Sequence, residues 1–254
     1  MQALTTLANT NIRSQLESGE LGLRVGPYAY NLRSDLPHMV PPIDKFMSRM
    51  RAMGVGDGHQ IVIYDGAGLL SAARVWWLFK LMGFDTVAVL DGGFPKWQAE
   101  GNPIEDMPPM VRDRHMTVRF QNQLVRDVTQ VSAASKLGDY VIVDARAANR
   151  FRGDAPEPRE GLRAGHIPGS RSVPFTRLLN EDRTMKTPEE CRAIFEEAGV
   201  DLNKPVITTC GSGVTAAILA LALERLGHRQ WSLYDGSWAE WGMFPTVPVA
   251  TGDA

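Results

Sequence analysis

One thiol, Cys210, stands at the end of a short apolar run and is followed by Gly211, Ser212 and Gly213, with Thr215 opening a stretch of helical period. This order predicts a strand, a tight loop folded over the sulfur, and the amino end of a helix. Successive backbone N–H groups of such a loop turn inward, and the positive end of the helix faces the same point. Both favour negative charge, so the loop suits a thiolate nucleophile or the charged outer sulfur of a persulfide. Gly211 and Gly213 serve this geometry because inward-turned amides need positive φ or close backbone approach. A lone cysteine at a strand end is more commonly a small core residue. Cys191 is assigned that role, since with Ile194, Phe195 and Ala198 it falls at i, i+3, i+4 and i+7 on one helix face. A cysteine-phosphatase loop is the competing anion cradle, but it needs an arginine six positions after the cysteine, where Ala216 stands.

An anionic reactant also needs cations, and the loop has none. Arg150 in ANRFRG and Arg159 in EPRE lie nine positions apart in a Pro-containing segment and could grip a carboxylate bidentately. The bland alternative for each is a solvated surface charge. Arg146, directly after an apolar run in DAR, reads as the structural partner of a carboxylate. The five histidines are scattered without ligand spacing and the two cysteines are not in CxxC spacing. Neither a metal site nor a disulfide framework is expected, and no cofactor is implied.

The elements that would position these residues recur along the chain. Ile61–Trp97 aligns with Val206–Trp241: Asp65 lies 145 positions before Cys210, as Gly66 and Gly68 do before Gly211 and Gly213, and Asp91 lies 144 before Asp235. Each copy reads as a strand (Ile61–Tyr64; Val206–Thr209), a Gly-rich turn and a helix (Ser71–Met82; Thr215–Leu226). A second strand (Thr86–Leu90; Gln230–Tyr234), an Asp-Gly turn and a short Trp-bearing helix follow. Alternating strands and helices with short loops imply an α/β fold of two related units, each a parallel sheet flanked by helices. The loop holding Cys210 then lies at the carboxyl edge of its sheet, where such folds place ligands. The second copy has a front half as well: a strand at Tyr140–Val143, the turn GHIPGS, and a helix opened by a capping box of Thr187 and Glu190 with Pro188 first. The matching positions of the first copy fall before Met1 or on ELGLRV, so that unit is expected to be incomplete at its amino-terminal end.

At 254 residues with 44% hydrophobic and 22% charged residues, the chain has material for more than one average domain and is not disordered as a whole. A net charge of −2 gives no basic face for nucleic acid and no polybasic membrane anchor. No apolar run approaches a bilayer span, and the start lacks the features of a secretory signal. A cytoplasmic protein, or one of an organelle matrix, with reduced thiols is expected.

CGSGVTA (Cys210–Ala216), DARAANRFRG, EPREGLRAGHIPGS, SAARVWW, LDGG and LYDGSWAEWG together resemble the rhodanese superfamily, in its two-domain 3-mercaptopyruvate sulfurtransferase branch. The small, neutral loop is similar to that of the mercaptopyruvate enzymes, whereas thiosulfate-preferring members carry a basic CRKGVT-type loop. The resemblance implies an enzyme in which Cys210 takes sulfur from 3-mercaptopyruvate, releases pyruvate, and passes the persulfide sulfur to a thiol, thioredoxin or cyanide. It implies catalytic roles for Cys210, Ser212 and His38, the last two handling protons. Arg150, Arg159, Gly211, Gly213, Val214 and Thr215 are implied to bind the substrate, with neither metal nor cofactor. Asp65 stands where the active copy has its cysteine, as in the non-catalytic first domains of the family. Residues 1–30 are left unassigned and expected to be irregular; 31–102 read as a partial, non-catalytic rhodanese-like domain, 103–124 as a linker and 125–254 as the catalytic domain. A monomer is expected. The alternatives are a thiosulfate:cyanide sulfurtransferase, or a catalytically weak binding module should the first domain be incomplete.

Overall fold

The computed structural model describes residues 36–104 and 112–253 and the backbone of Gly22–Arg24. The chain divides into two compact units, one built mainly on Val40–Asn122, the other on Gln123–Glu181 and Met185–Ala254, with the described residues 36–39 joining the second.

The first unit holds a three-stranded parallel sheet: β1 (Gly22–Arg24), β2 (Ile61–Tyr64) and β3 (Val87–Val89), with β2 central. Helix α1 (Ile43–Ala52) buries Phe46 and Met50; α2 (Ala72–Leu81) packs on β2 and β3, and α3 (Gly93–Ala99) follows the Asp-Gly turn. The run AARVWWLFKL is apolar nearly all round, and all of α2 except Lys80 is buried, as a helix covering a sheet requires. Phe79 meets Phe46 and Phe84 edge to face.

Two expectations change here. β1 pairs in parallel with β2, Leu23 opposite Ile63, within the stretch expected to be irregular. Gly-Leu-Arg shows no alternation of its own, so its strand conformation comes from the ladder and not from a local pattern. The remainder of residues 1–30 lies outside the described residues. Within the segment read as linker, residues 112–121 lie along the first unit: Met116 is fully buried, and Asp57 N–H donates to His115 O, Arg119 N–H to Met82 O and Gln121 N–H to Leu81 O.

The second unit holds a five-stranded, all-parallel sheet formed by β4 (Val125–Arg126), β5 (Val141–Asp144), β6 (Arg171–Ser172), β7 (Val206–Thr209) and β8 (Trp231–Tyr234), in the order β4-β8-β7-β5-β6. Ile142 opposite Ile207 sets the register, and both join Tyr234, Trp238 and Trp241 in a core closed by Val131 and Ala134 of α4 (Val128–Leu137). The alternate residues Val143, Thr208 and Leu233 face the other way, toward α7 (Ala216–Arg225), which packs on β7 and β8. Burial on both faces explains why these strands read as continuous apolar runs. The expected capping box at Thr187 opens α6 (Pro188–Glu197), with Cys191 buried on its inner face. The short helices α5 (Ala148–Arg152) and α8 (Ser237–Trp241) complete the unit.

Candidate active site

Cys210 follows β7 directly and is 2% exposed, its thiol unpaired with any other cysteine. Gly213, at φ +79°, turns its N–H to donate to Cys210 Sγ at 3.1 Å. The loop is pinned from outside by the start of α8: Trp238 N–H donates to Cys210 O, Ala239 N–H to Gly211 O, and Cys210 N–H to Ser237 Oγ. The next three amides, of Val214, Thr215 and Ala216, have no acceptor among the described residues and lie where α7 begins. A helix start with open N–H groups is a place for negative charge.

The equivalent loop of the first unit shows what such amides do when an anion is supplied. Asp65 follows β2, and its Oδ2 accepts from the N–H groups of Leu70, Ser71 and Ala72 at 2.8 Å each. Its Oδ1 accepts from Ala67 at 2.9 Å. The repeat register places Leu70, Ser71 and Ala72 on Val214, Thr215 and Ala216. Oδ2 therefore marks the point at which the second loop would hold one charged atom beyond its sulfur.

Ser212 is 8% exposed, and its Oγ lies 2.9 Å from His38 Nδ1. His38 adopts φ +64°, a conformation that costs an L-residue energy and is held here by its surroundings. Sequence reasoning reached this pair through resemblance only, because 174 positions separate the two residues.

Arg150 reaches the loop on its other side. A Cβ built on Gly211 would lie 3.1 Å from Arg150 Nη2, a tight contact that the guanidinium would have to ease by a few tenths of an ångström, so the guanidinium approaches the backbone closely here. Gly211 does not have the positive φ of Gly213; its place is explained by close approach alone. Arg150 is not a free cation: its Nη2 and Nε donate to Glu157, at 2.5 Å and 3.3 Å. Glu157 is shared with Arg146, whose Nε and Nη2 also grip Asp144 and whose guanidinium lies 4.3 Å from the Trp238 ring. Burial works against the Arg146 charge, but Asp144 and Glu157 outweigh it and hold the group above its ordinary value. Arg159 is half-buried and makes no hydrogen bond or ion pair among the described residues. Val214 and Thr215 are half-buried, and Thr215 stands at the amino end of α7 without a side-chain cap.

Glu157 is the residue that sequence reasoning passed over. Its signal was its place in EPRE, two positions before Arg159 and seven after Arg150. Among the described residues no group of three or more His, Cys, Asp or Glu side chains is placed to hold a metal ion, and no helix is long and apolar enough to cross a membrane.

Residues 27–100 and 127–243 each match the Rhodanese-like domain family. The chain belongs to the rhodanese family. Its two matched stretches contain Asp65 and Cys210, so both loops are rhodanese loops, one ending in a carboxylate and one in a thiol. The chain is 42% identical to the 3-mercaptopyruvate sulfurtransferase of Escherichia coli K12, over 85% of this chain and 76% of that protein. It is 38% identical to the mitochondrial thiosulfate/3-mercaptopyruvate sulfurtransferase 1 of Arabidopsis thaliana, over 85% of this chain but only 63% of that protein's length. Among solved structures, the E. coli 3-mercaptopyruvate sulfurtransferase SseA superposes with a TM-score of 0.74 at 39% identity, over 83% of this chain and 79% of that one.

Proposed function

We propose that this rhodanese is a sulfurtransferase that takes sulfur from 3-mercaptopyruvate onto Cys210 as a persulfide and hands it to a thiol acceptor, thioredoxin or cyanide. The observation that carries the reading is the set of open amides of Val214, Thr215 and Ala216 beyond Cys210, at the positions whose counterparts grip the Asp65 carboxylate. A charged outer sulfur on Cys210 is an anion of suitable reach for them. The names of the E. coli and Arabidopsis relatives support the donor class.

In the first half-reaction the Cys210 thiolate attacks the donor sulfur. A sulfur–sulfur bond forms, the carbon–sulfur bond breaks, and its electron pair passes to the methylene carbon as the enolate of pyruvate. That carbon takes up one proton and the donor thiol gives one up as its sulfur becomes the charged outer atom, so pyruvate leaves, the sulfur stays and no net proton is consumed. The Ser212–His38 pair, 2.9 Å apart beside the thiol, is positioned to supply the proton. Arg150 against Gly211, together with Arg159, holds the donor carboxylate. In the second half-reaction the acceptor attacks the outer sulfur, the sulfur–sulfur bond breaks, and the Cys210 thiolate is restored.

A thiosulfate-using reading is favoured by one observation, the double name of the Arabidopsis relative. Against it stands a loop with no basic side chain at Gly211 or Ser212. The ratio of kcat/KM for the two donors separates them, and a clear preference for 3-mercaptopyruvate is expected. Intact mass after donor treatment tests the persulfide itself: the wild type gains one sulfur atom and releases pyruvate, and Cys210→Ser does neither. An unmodified wild-type mass with no pyruvate would sink the reading and leave a binding module. Two free thiols suit a reducing compartment, the cytoplasm or an organelle matrix, and the reading takes the working form to be a monomer.

A further inference from the structure

We propose that Glu157 sets the net charge of the donor site and thereby its preference for a singly over a doubly charged sulfur donor. This rests on the reading above, in which Arg150 and Arg159 hold the donor's anionic end. The Glu157 side chain is 1% exposed, and its carboxylate lies between two guanidiniums. Oε1 accepts from Arg146 Nη1 at 2.8 Å and from Arg150 Nε at 3.3 Å, and Oε2 accepts from Arg150 Nη2 at 2.5 Å.

Arg146 does not need Glu157 for neutrality. Asp144 already meets it through Arg146 Nε at 2.9 Å and Nη2 at 2.7 Å, with all of these groups buried. Glu157 is thus the balancing charge of Arg150. Asp144 and Glu157 thus balance Arg146 and Arg150, and the cation that the reading above adds to the donor site is Arg159, which pairs with no group among the described residues. The exposed Arg152–Asp154 pair adds none.

One net charge matches one donor carboxylate. A dianion would bring a second negative charge toward a carboxylate that solvent does not screen, where like charges repel strongly. Arg150 thus acts as a shaped fork of donors against Gly211 more than as a free cation, and Glu157 fixes that shape as well as its charge.

The test replaces Glu157 by Gln, which keeps an oxygen for the same guanidiniums and removes the negative charge. With cyanide as acceptor, kcat/KM is measured for 3-mercaptopyruvate and thiosulfate in the wild type, E157Q and E157D. The thiosulfate-to-mercaptopyruvate ratio should rise roughly tenfold in E157Q, mostly through KM for thiosulfate, and the rise should shrink with added salt. E157D should keep the wild-type ratio. Equal losses for both donors in E157Q, with the ratio unmoved, would show that Glu157 only supports Arg150 and would overturn the proposal.

Should E157Q not fold, the double variant R150Q/E157Q removes the pair together and keeps the net charge. It should be slow with both donors at an unchanged ratio, and a changed ratio overturns the proposal. If the wild type turns over neither donor, the proposed function fails on its own. Calorimetry with pyruvate and sulfate then still reads the charge preference, with E157Q expected to shift toward sulfate and an unshifted preference counting against the proposal.

Discussion

The two rhodanese loops begin alike and end in different chemistry. Each leaves the carboxyl end of a parallel strand, passes through paired glycines and enters a buried helix, α2 in one unit and α7 in the other. In the first, the residue after the strand is Asp65, whose carboxylate already satisfies the amides of Leu70, Ser71 and Ala72. In the second it is Cys210, with the N–H of Gly213 on its sulfur, and the matching amides of Val214, Thr215 and Ala216 meet no acceptor among the described residues. One loop carries its anion as a permanent side chain, and the other, on the reading proposed above, receives an anion that comes and goes. The first loop is therefore closed by its own carboxylate, and the second leaves the matching amides open, as the proposed persulfide requires.

The sharpest way to break this comparison is to move the carboxylate. Cys210→Asp should abolish pyruvate release, at least ~1,000-fold, because the proposed nucleophile is gone. It should also raise the unfolding midpoint, because the new carboxylate caps the open amides and is worth about 1 kcal/mol at a helix start. An inactive variant whose midpoint falls would show that the loops are not equivalent in shape. The converse change, Asp65→Ala, strips several amides of a charged acceptor and should cost about 2–4 kcal/mol, read from denaturant unfolding. Sulfate should restore part of that loss by occupying the vacated amides, and indifference to sulfate would count against an anion-binding loop.

A smaller change sharpens the comparison at its rim. The position of Ser212 is Ala67 in the first loop, so Ser212→Ala makes the second loop resemble the first while leaving Cys210 in place. Its partner His38, 2.9 Å away, then loses its hydroxyl. A fall in kcat of roughly 10- to 100-fold with KM nearly unchanged is expected for a lost proton carrier. An unchanged pH–rate profile would instead assign the pair a structural role.

What could be read from sequence follows from range. The strands Ile61–Tyr64 and Val206–Thr209, both buried helices and the capping box at Thr187 rest on patterns within a few residues, and all appear where those patterns place them. The loop around Cys210 was legible for the same reason, since one turn of chain builds it. β1 was not, because three residues without alternation become a strand only through pairing with β2. Arg163 was missed similarly: it donates to the carbonyls of Trp241, Gly242, Phe244 and Val247, 78 to 84 positions away, and so caps the end of α8. Glu157 could be seen in EPRE, but nothing local says that it faces Arg150 and not water.

The mildest test asks whether the units also differ in their response to acid. His166, in the GHIPGS turn of the second unit, is buried and stacks on Phe151 at 3.8 Å, with Nδ1 2.8 Å from Phe151 O. A carbonyl only accepts, so Nδ1 carries the proton of the neutral ring. Burial pushes the His166 pKa below the ordinary value of 6.5; the Phe151 hydrogen bond and Asp144 oppose that shift without reversing it, and Arg146 adds to it. The unfolded chain therefore binds a proton that the folded one refuses. Stability contributed by the neutral ring is complete above 6.5 and declines as pH falls from there toward the folded value. Acid titration of the unfolding midpoint should show this decline, and His166→Asn should flatten it while lowering the midpoint at neutral pH. If the slope persists unchanged in that variant, the difference in acid response lies elsewhere in the second unit.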